Sequence, residues 1–317
     1  MAALERRRSL PESGRTDAVR LFHGMADGID GLVIEKLASV LIVQMHEGRL
    51  TTPESALREP CAALVARAGA TAAYRKVFPR ARGGEDARLA RMHRDATPWI
   101  GTPAPPEMIV REESARFAVR PYDGFSTGLF LEQRDNRARV RAGARGLRVL
   151  NTFAYTCGFT VAAALGGAAE TVSVDASRRY ITWGQRNFEV NELSRAGHRF
   201  LTADVGDYLR RAGRRGERFD LVILDPPTFG RGPNGETFSF VEHAPRLAAA
   251  AIGVLAEGGR LLFSTNHRAT PGVALRRMIE QAARGEGRRV EGVESPPLPE
   301  DFAGDAAYGA TVIARIA

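Results

Sequence analysis

A chain of 317 residues, 44% hydrophobic and 26% charged, is long enough for one large domain or two moderate ones with ample core. It has no run of about 18 apolar residues to span a membrane, and the arginines of its N-terminus, MAALERRRSLPESGR, have no apolar stretch behind them, which argues against a secretory signal. Two cysteines, Cys61 and Cys157, are too few for a disulfide framework or a cysteine-rich metal site, so no metal is expected and the cytoplasm is the default location. The net charge of +8 permits a polyanionic partner, but lysine occurs only at Lys36 and Lys76, and an arginine excess of this kind is what a GC-rich genome produces without functional cause.

Along the chain, 28–45 (GIDGLVIEKLASVLIVQM) reads as two apolar strands around a polar turn, a hairpin, followed by a helix over 53–68. TPWIGTPAPPE at 97–107 carries four prolines in eleven residues, which blocks continuous helix or strand and marks a linker. This predicts a small α+β domain over 1–107 and a second domain over 108–317. In the second, apolar runs at 147–153, 171–175, 199–203, 221–225 and 260–264 alternate with helical stretches near 158–166, 177–192, 205–212, 238–256 and 271–284. That rhythm predicts an α/β fold with a mostly parallel sheet covered on both faces, and the final run, 310–316, an edge strand.

Ligands of such sheets lie beyond the carboxyl ends of the strands. After the first run, Asn151-Thr152-Phe153-Ala154-Tyr155-Thr156-Cys157 leads to Gly158, which opens a helix. Backbone N–H groups there can face a ligand, although a single glycine reads first as a tight turn. No G-x-G-x-x-G is present to cradle a dinucleotide pyrophosphate. Asp175 ends the second run, placed to accept ribose hydroxyls, to cap the next helix together with Ser177, or both. Asp204 ends the third, placed to reach an adenine amino group or to cap. The fourth is the most informative, since Phe219–Leu224 leads into Asp225-Pro226-Pro227-Thr228-Phe229. Two prolines fix the backbone and remove two donors, leaving a carboxylate, rigid carbonyls and a ring on which a planar base could stack. The alternative is a prolyl turn ending a strand.

These residues carry a resemblance. The stretches TGLFLEQRDNR (127–137), NTFAYTCGF (151–159), VDASRRY (174–180), RNFEVN (186–191), LDPPTF (224–229) and FSTNHR (263–268) resemble those of class I S-adenosylmethionine (SAM)-dependent methyltransferases that modify 23S ribosomal RNA. Within that group the chain is similar to the cytosine-C5 enzymes and still more to the guanine-N7 half of the bifunctional large-subunit rRNA methyltransferase, through DPPTF, FSTNHR and Asp301-Phe302. The resemblance implies a Rossmann-like domain with a seven-stranded sheet and SAM as cofactor. It implies that Asn151, Phe153, Tyr155 and Gly158 wrap the methionine part, that Asp175 takes the ribose and Asp204 the adenine, and that Asp225 lies beside the reacting methyl. Gln133, Arg134 and Asn136 would close the pocket. Two departures stand out: Cys157 occupies a position where the family often has glycine, and the N-terminal RNA-binding module of many cytosine-C5 relatives has no match before residue 20. RNA contacts would then fall on 1–107 and the basic surface.

The acceptor follows from chemistry. Methylating cytosine C5 needs a nucleophile to add to C6; the resemblance to the cytosine-C5 enzymes implies a cysteine in the motif after the fifth strand, and that stretch here, Phe263-Ser264-Thr265-Asn266-His267, contains none. Guanine N7 has a free lone pair and needs no deprotonation, so alignment and charge placement suffice. The expectation is a flipped guanine on Phe229, held by Asp225 and the Pro226–Pro227 backbone and oriented by Asn266. His267 reads first as polar surface. Remaining alternatives are cytosine-C5 transfer, a small-molecule methyltransferase, an inactive SAM- and RNA-binding module and, most distant, an NAD-dependent oxidoreductase.

Overall fold

A computed structural model describes residues 5, 7, 9–79, 87–231 and 237–317. The chain divides into two compact units, Met1–Glu132 with Pro299–Asp305, and Gln133–Leu298 with Ala306–Ala317. Among the described residues of the first, strands β1 (Ala18–His23), β2 (Leu32–Leu37), β3 (Val40–His46), β4 (Ala72–Phe78) and β5 (Ile100–Gly101) form one sheet in chain order. The expected hairpin is β2–β3, antiparallel from Leu32↔Met45 to Leu37↔Val40. Helix α1 (Glu54–Arg67) then carries the chain to β4, parallel to β3. Leu57, Cys61 and Val65 of α1, at helical spacing, bury against Val19, Leu21, Ile34, Leu41 and Val43. Each such apolar side chain contributes about 1.5–3 kcal/mol.

The prolyl stretch is not the boundary expected at residue 107. Gly101 pairs with Ala72, and a Cβ at Gly101 would fall 2.1 Å from the Thr71 carbonyl oxygen, so only glycine allows this approach. Tyr74 Oη accepts from the Ala104 N–H, and Tyr122 Oη donates to the Ala104 carbonyl. The hairpin of β6 (Met108–Glu112) and β7 (Ala115–Val119) also belongs to the first unit, which ends at Glu132. Pro299–Asp305 joins this unit through Asp301 and Phe302, both fully buried. The Asp301 carboxylate accepts from the Arg20 N–H at 2.9 Å, and the Arg20 guanidinium lies 4.1 Å from the centroid of the Phe302 ring.

In the second unit the sheet order among described residues is β10-β9-β8-β11-β14-β16-β15. These are β8 (Arg148–Thr152), β9 (Glu170–Asp175), β10 (His198–Thr202), β11 (Phe219–Leu224), β14 (Leu255–Thr265), β15 (Val290–Glu294) and β16 (Ala310–Ile316), with a small hairpin of β12 (Phe229–Arg231) and β13 (Thr237–Ser239) after β11. The first five are parallel, and β16 runs antiparallel to both neighbours. β16 is therefore an inner strand; the edge on this side is β15, whose sequence VEGVE is too charged and too glycine-bearing to read as a strand. Helices α2 (Arg134–Gly143) and α3 (Gly158–Leu165) cover one face, packing Val140, Phe159 and Ala162 on Val149, Leu221, Ile223 and Leu262. On the other face lie α5 (Val205–Arg214), α6 (Phe240–Gly253) and α7 (Gly272–Gly285), against Leu150, Val172, Val222, Leu224, Leu261 and Phe263. Successive strand residues thus serve opposite cores, which explains their continuously apolar sequences. Helix α4 (Arg178–Val190) follows β9. Strand order reverses between β8 and β11, so the crevice for a ligand opens at their tips. Among the described residues no helix is long and apolar enough to cross a membrane.

Candidate active site

The loop after β8 is held in an unusual backbone conformation. Phe153, Tyr155 and Cys157 have φ of 50°, 48° and 60°, the left-handed region, which costs a side-chain-bearing residue about 1–2 kcal/mol each. Strain of this kind persists only where the surroundings impose it, and it concentrates where backbone is shaped for a ligand. The surroundings here are specific. Asp175 at the tip of β9 accepts from the Tyr155 N–H and the Ser177 N–H, both at 2.8 Å. Asn187 Nδ2 donates to the Thr156 carbonyl at 2.8 Å. Helix α3 then begins at Gly158, with its first turn toward the crevice.

The departure at Cys157 is matched by a second residue. Its side chain is buried against Gly184 of α4, where a Cβ would come within 2.3 Å of Cys157 Sγ and 2.8 Å of its Cβ. Burial pushes the Cys157 thiol up to about 12 and the Cys61 thiol up to about 11, so neither is a thiolate near neutrality.

Asp175 does more than cap. Ser177 is the α4 cap, accepting from the Tyr180 N–H, while the Asp175 carboxylate ties the β8 and β9 loops together. A carboxylate offers about four lone-pair sites and two are used, leaving acceptors for a ribose diol. Burial raises the Asp175 carboxyl above its ordinary range, against the opposing pull of the two backbone amides. Asp204 is exposed and caps α5, its Oδ1 accepting from the Asp207 N–H at 2.8 Å. Asn151 sits one residue below the tip of β8, and its amide donates to Thr160 Oγ1 at 2.9 Å, which in turn meets Ser173 Oγ at 2.7 Å. The Asn151 side chain thus anchors α3 to the sheet, leaving Phe153 and Tyr155 to form the loop itself. The Phe153 ring lies 5.7 Å from Phe238, and the Tyr155 ring stands edge-on to Tyr180 at 4.5 Å.

Gln133, Arg134 and Asn136 are all buried. Gln133 Nε2 donates to Ser264 Oγ at 2.7 Å, and Asn136 Nδ2 donates to Gln133 Oε1 at 2.7 Å and Thr311 Oγ1 at 3.0 Å. Asn136 Oδ1 is buried with no hydrogen-bond partner among the described residues. A buried acceptor without a donor costs about 1–3 kcal/mol, and an ammonium, hydroxyl or amino group of an amino-acid nucleoside could supply that donor. Of the two residues that hold this pair, Ser264 stands inside FSTNHR without a role of its own in the sequence, and Thr311 carried no sequence signal.

At the tip of β11, Asp225 is half-buried, Pro226 buried and Pro227 exposed, and Phe229 presents 58% of its surface. Thr228 bridges this segment to the end of β14: its carbonyl accepts from the Phe240 N–H at 3.0 Å and its hydroxyl donates to Asn266 Oδ1 at 3.1 Å. The sequence placed Asn266 near the acceptor but missed Thr228, although it stands inside the quoted DPPTF. His267 is held locally, with Nδ1 2.8 Å from Thr270 Oγ1 and its ring stacked on Phe240.

A strand-tip crevice with an acidic residue after β9, a shaped loop after β8 and a prolyl turn after β11 fits an adenosyl amino acid. Residues 19–314 match the family described as S-adenosylmethionine-dependent methyltransferase. The chain is 33% identical over 298 residues to the ribosomal RNA large subunit methyltransferase of Deinococcus radiodurans, covering 91% of this chain and 70% of that one. It is 36% identical over 197 residues to the ribosomal RNA large subunit methyltransferase K of Neisseria meningitidis serogroup B, covering 62% of this chain and 53% of that protein. A solved SAM-dependent methyltransferase from Streptococcus mutans superposes with a TM-score of 0.84 at 27% identity, covering 99% of this chain and 79% of that one. The chain therefore belongs to the S-adenosylmethionine-dependent methyltransferases, as a class I enzyme with SAM as its cofactor.

Proposed function

We propose that this enzyme methylates ribosomal RNA on a ring nitrogen of a base, guanine N7. The relatives named for the large ribosomal subunit support the RNA class. The observation that carries the choice of atom is the Thr228–Asn266 hydrogen bond. With the Thr228 hydroxyl donating to Oδ1, Asn266 presents its NH2 group, a donor suited to guanine O6, the acceptor beside N7. Without a thiolate at Cys61 or Cys157, and with no cysteine in Phe263–His267, the chain offers no nucleophile for the C6 addition that cytosine C5 requires.

When bound, SAM supplies an electrophilic methyl on a sulfonium. In the proposed arrangement Asp175 accepts the ribose hydroxyls, Asp204 faces the adenine, and the 153–158 loop holds the methionine part. Gln133 and Asn136 close the pocket together with Arg134. The Asp225 carboxylate lies beside the positive centre, and Pro226 and Pro227 keep its position rigid. Phe229 stacks on the flipped base, and Asn266 turns its N7 lone pair toward the methyl. No proton leaves before transfer, which agrees with His267 being engaged by Thr270 rather than facing an acceptor. The first unit and the basic surface contact the RNA, and such a substrate places the enzyme in the cytoplasm. One observation favours a second reading: the Asp225 carboxylate is followed by two prolines that have carbonyls but no N–H, an arrangement that suits an exocyclic amine such as guanine N2.

The test is incubation with methyl-labelled SAM and unmethylated ribosomal RNA, followed by digestion to nucleosides. Label in 7-methylguanosine supports the proposal, and label in N2-methylguanosine selects the second reading. Label in 5-methylcytidine, or only outside RNA, overturns both.

A further inference from the structure

At the free edge of the sheet in the second unit lies a groove of about 480 Å³ between α7 and β15. Among the described residues its walls carry Arg276, Arg284, Arg288 and Arg289 against Glu280 and Glu291, an excess of two positive charges. The four arginines are not equivalent. Arg276 pairs with Glu280 at 2.8 Å, one turn along α7, and Arg289 with Glu291 at 3.2 Å; such exposed pairs contribute little and are readily exchanged. Glu291 is further divided by Arg315, 3.5 Å away. Arg284 has no ion pair among the described residues. Arg288 is fixed, its guanidinium donating to the carbonyls of Ile252, Leu255, Ala256 and Ile316 at 2.8–3.2 Å, so its charge stands in the groove without side-chain entropy to lose on binding.

The lining contains no aromatic residue, so nothing there can stack a base; the surface suits a charged backbone. Its place in the sheet is also informative. Helix α7 starts at the crevice end of the sheet, where Gly272 lies beside Ala310, and Val290 pairs with Ile316, itself paired with Gly259, so the groove runs along the strands and its Arg284–Val290 end lies opposite Asp175 and Asp225. Six residue steps along β14 lead from Gly259 to Thr265 at the crevice, about 20 Å at roughly 3.3 Å per residue. We infer that this arginine groove binds the phosphodiester backbone of the RNA substrate at a distance from the target base, fixing the register of the RNA without reading its sequence. This rests on the RNA reading proposed above.

The test measures binding of fluorescein-labelled ribosomal RNA fragments by anisotropy across a salt series, for the full chain and for Arg284→Glu/Arg289→Glu. Removing one arginine–phosphate interaction lowers the slope of log affinity against log salt by roughly 0.7–0.9. The expected result is a 10-fold or greater weakening at moderate salt with a slope shallower by about 1–2. Affinity for S-adenosylhomocysteine (SAH) and the melting temperature should be unchanged, and Arg284→Lys/Arg289→Lys should recover most RNA binding. The penalty should vanish on an oligonucleotide too short to span about 20 Å from the target base. Unchanged affinity and slope on the long RNA overturn the groove even if the wild type methylates RNA. Equal weakening of labelled polyglutamate binding overturns the RNA assignment in favour of an acidic polypeptide. Failure of the RNA reading itself shows separately, as absence of label in RNA with the wild type.

Discussion

Gly184→Ala isolates the fit between the cofactor loop and α4. In an ordinary helix interior this change stabilises by about 1 kcal/mol, because alanine loses less backbone entropy than glycine. Here the new methyl would lie 2.3 Å from Cys157 Sγ and 2.8 Å from its Cβ, where carbon contacts settle near 3.5–4.0 Å. Cys157 has little room to retreat. Its φ is 60°, its N–H donates to the Ala154 carbonyl at 2.7 Å, and its own carbonyl accepts from the Val161 N–H at 2.9 Å. Overpacking of this severity costs about 3 kcal/mol, outweighing the propensity gain, so a net loss of about 2 kcal/mol is expected. In a Cys157→Gly background both clashing atoms are gone, and the next nearest atom is the Thr156 carbonyl carbon, at 3.3 Å. There Gly184→Ala should be neutral or stabilising by up to about 1 kcal/mol, a coupling of roughly 2–3 kcal/mol. The assay is urea unfolding followed by Trp183, buried next to Gly184, with Trp99 replaced by Phe so that one indole reports. Equal destabilisation in both backgrounds, or none in the first, would refute the proposed packing.

Further outcomes follow from single groups. Asp175→Asn removes a charged acceptor from the loop and the ribose, and SAH affinity should fall by about 10- to 100-fold in titration calorimetry. Because burial holds the Asp175 carboxyl above the ordinary aspartate range, wild-type SAH affinity should decline on acidification earlier than an ordinary aspartate would cause, and the variant should not share that step. Thr228→Val leaves Asn266 free to turn, so kcat on RNA should fall about 5- to 10-fold with SAH affinity unchanged; loss of SAH binding would reassign Thr228 to the cofactor. Lys76 is buried on β4, which lowers its ammonium to about 7, and it donates to the Phe125 carbonyl at 3.3 Å. Unfolded, it keeps its proton to about pH 10.4, so between these values the unfolded chain binds more protons and stability must rise with pH, on the order of 4–5 kcal/mol. Lys76→Met should flatten that rise in chemical unfolding, and an unchanged pH slope would contradict the burial argument.

The sequence made the crevice legible because its chemistry is local. Runs such as LVIL end in a carboxylate, and two prolines follow one of them, so Asp175 and Asp225 mark their own strand tips. What it hid depends on partners far along the chain. The boundary at 107 was misplaced because TPAPPE carries every mark of a linker, while its attachment to Tyr74 and Tyr122 is tertiary. β15 was missed because an edge strand need satisfy only one neighbour and its exposed side can be charged. Cys157 in a glycine position becomes intelligible only with Gly184, 27 residues on, and Thr228 only with Asn266, 38 residues on. Asp301-Phe302 was recognisable as a motif, yet its burial beneath Arg20 is a feature of the first unit rather than of the crevice.

Converging strand tips, organised by Asp175, are proposed to hold one adenosyl amino acid. Calorimetric titration of the full chain with SAH addresses this directly. One saturable site per chain, abolished by Asp175→Ala and untouched by Arg284→Glu, is the predicted result. An undiminished site in Asp175→Ala, or no saturable heat in the wild type, would contradict it.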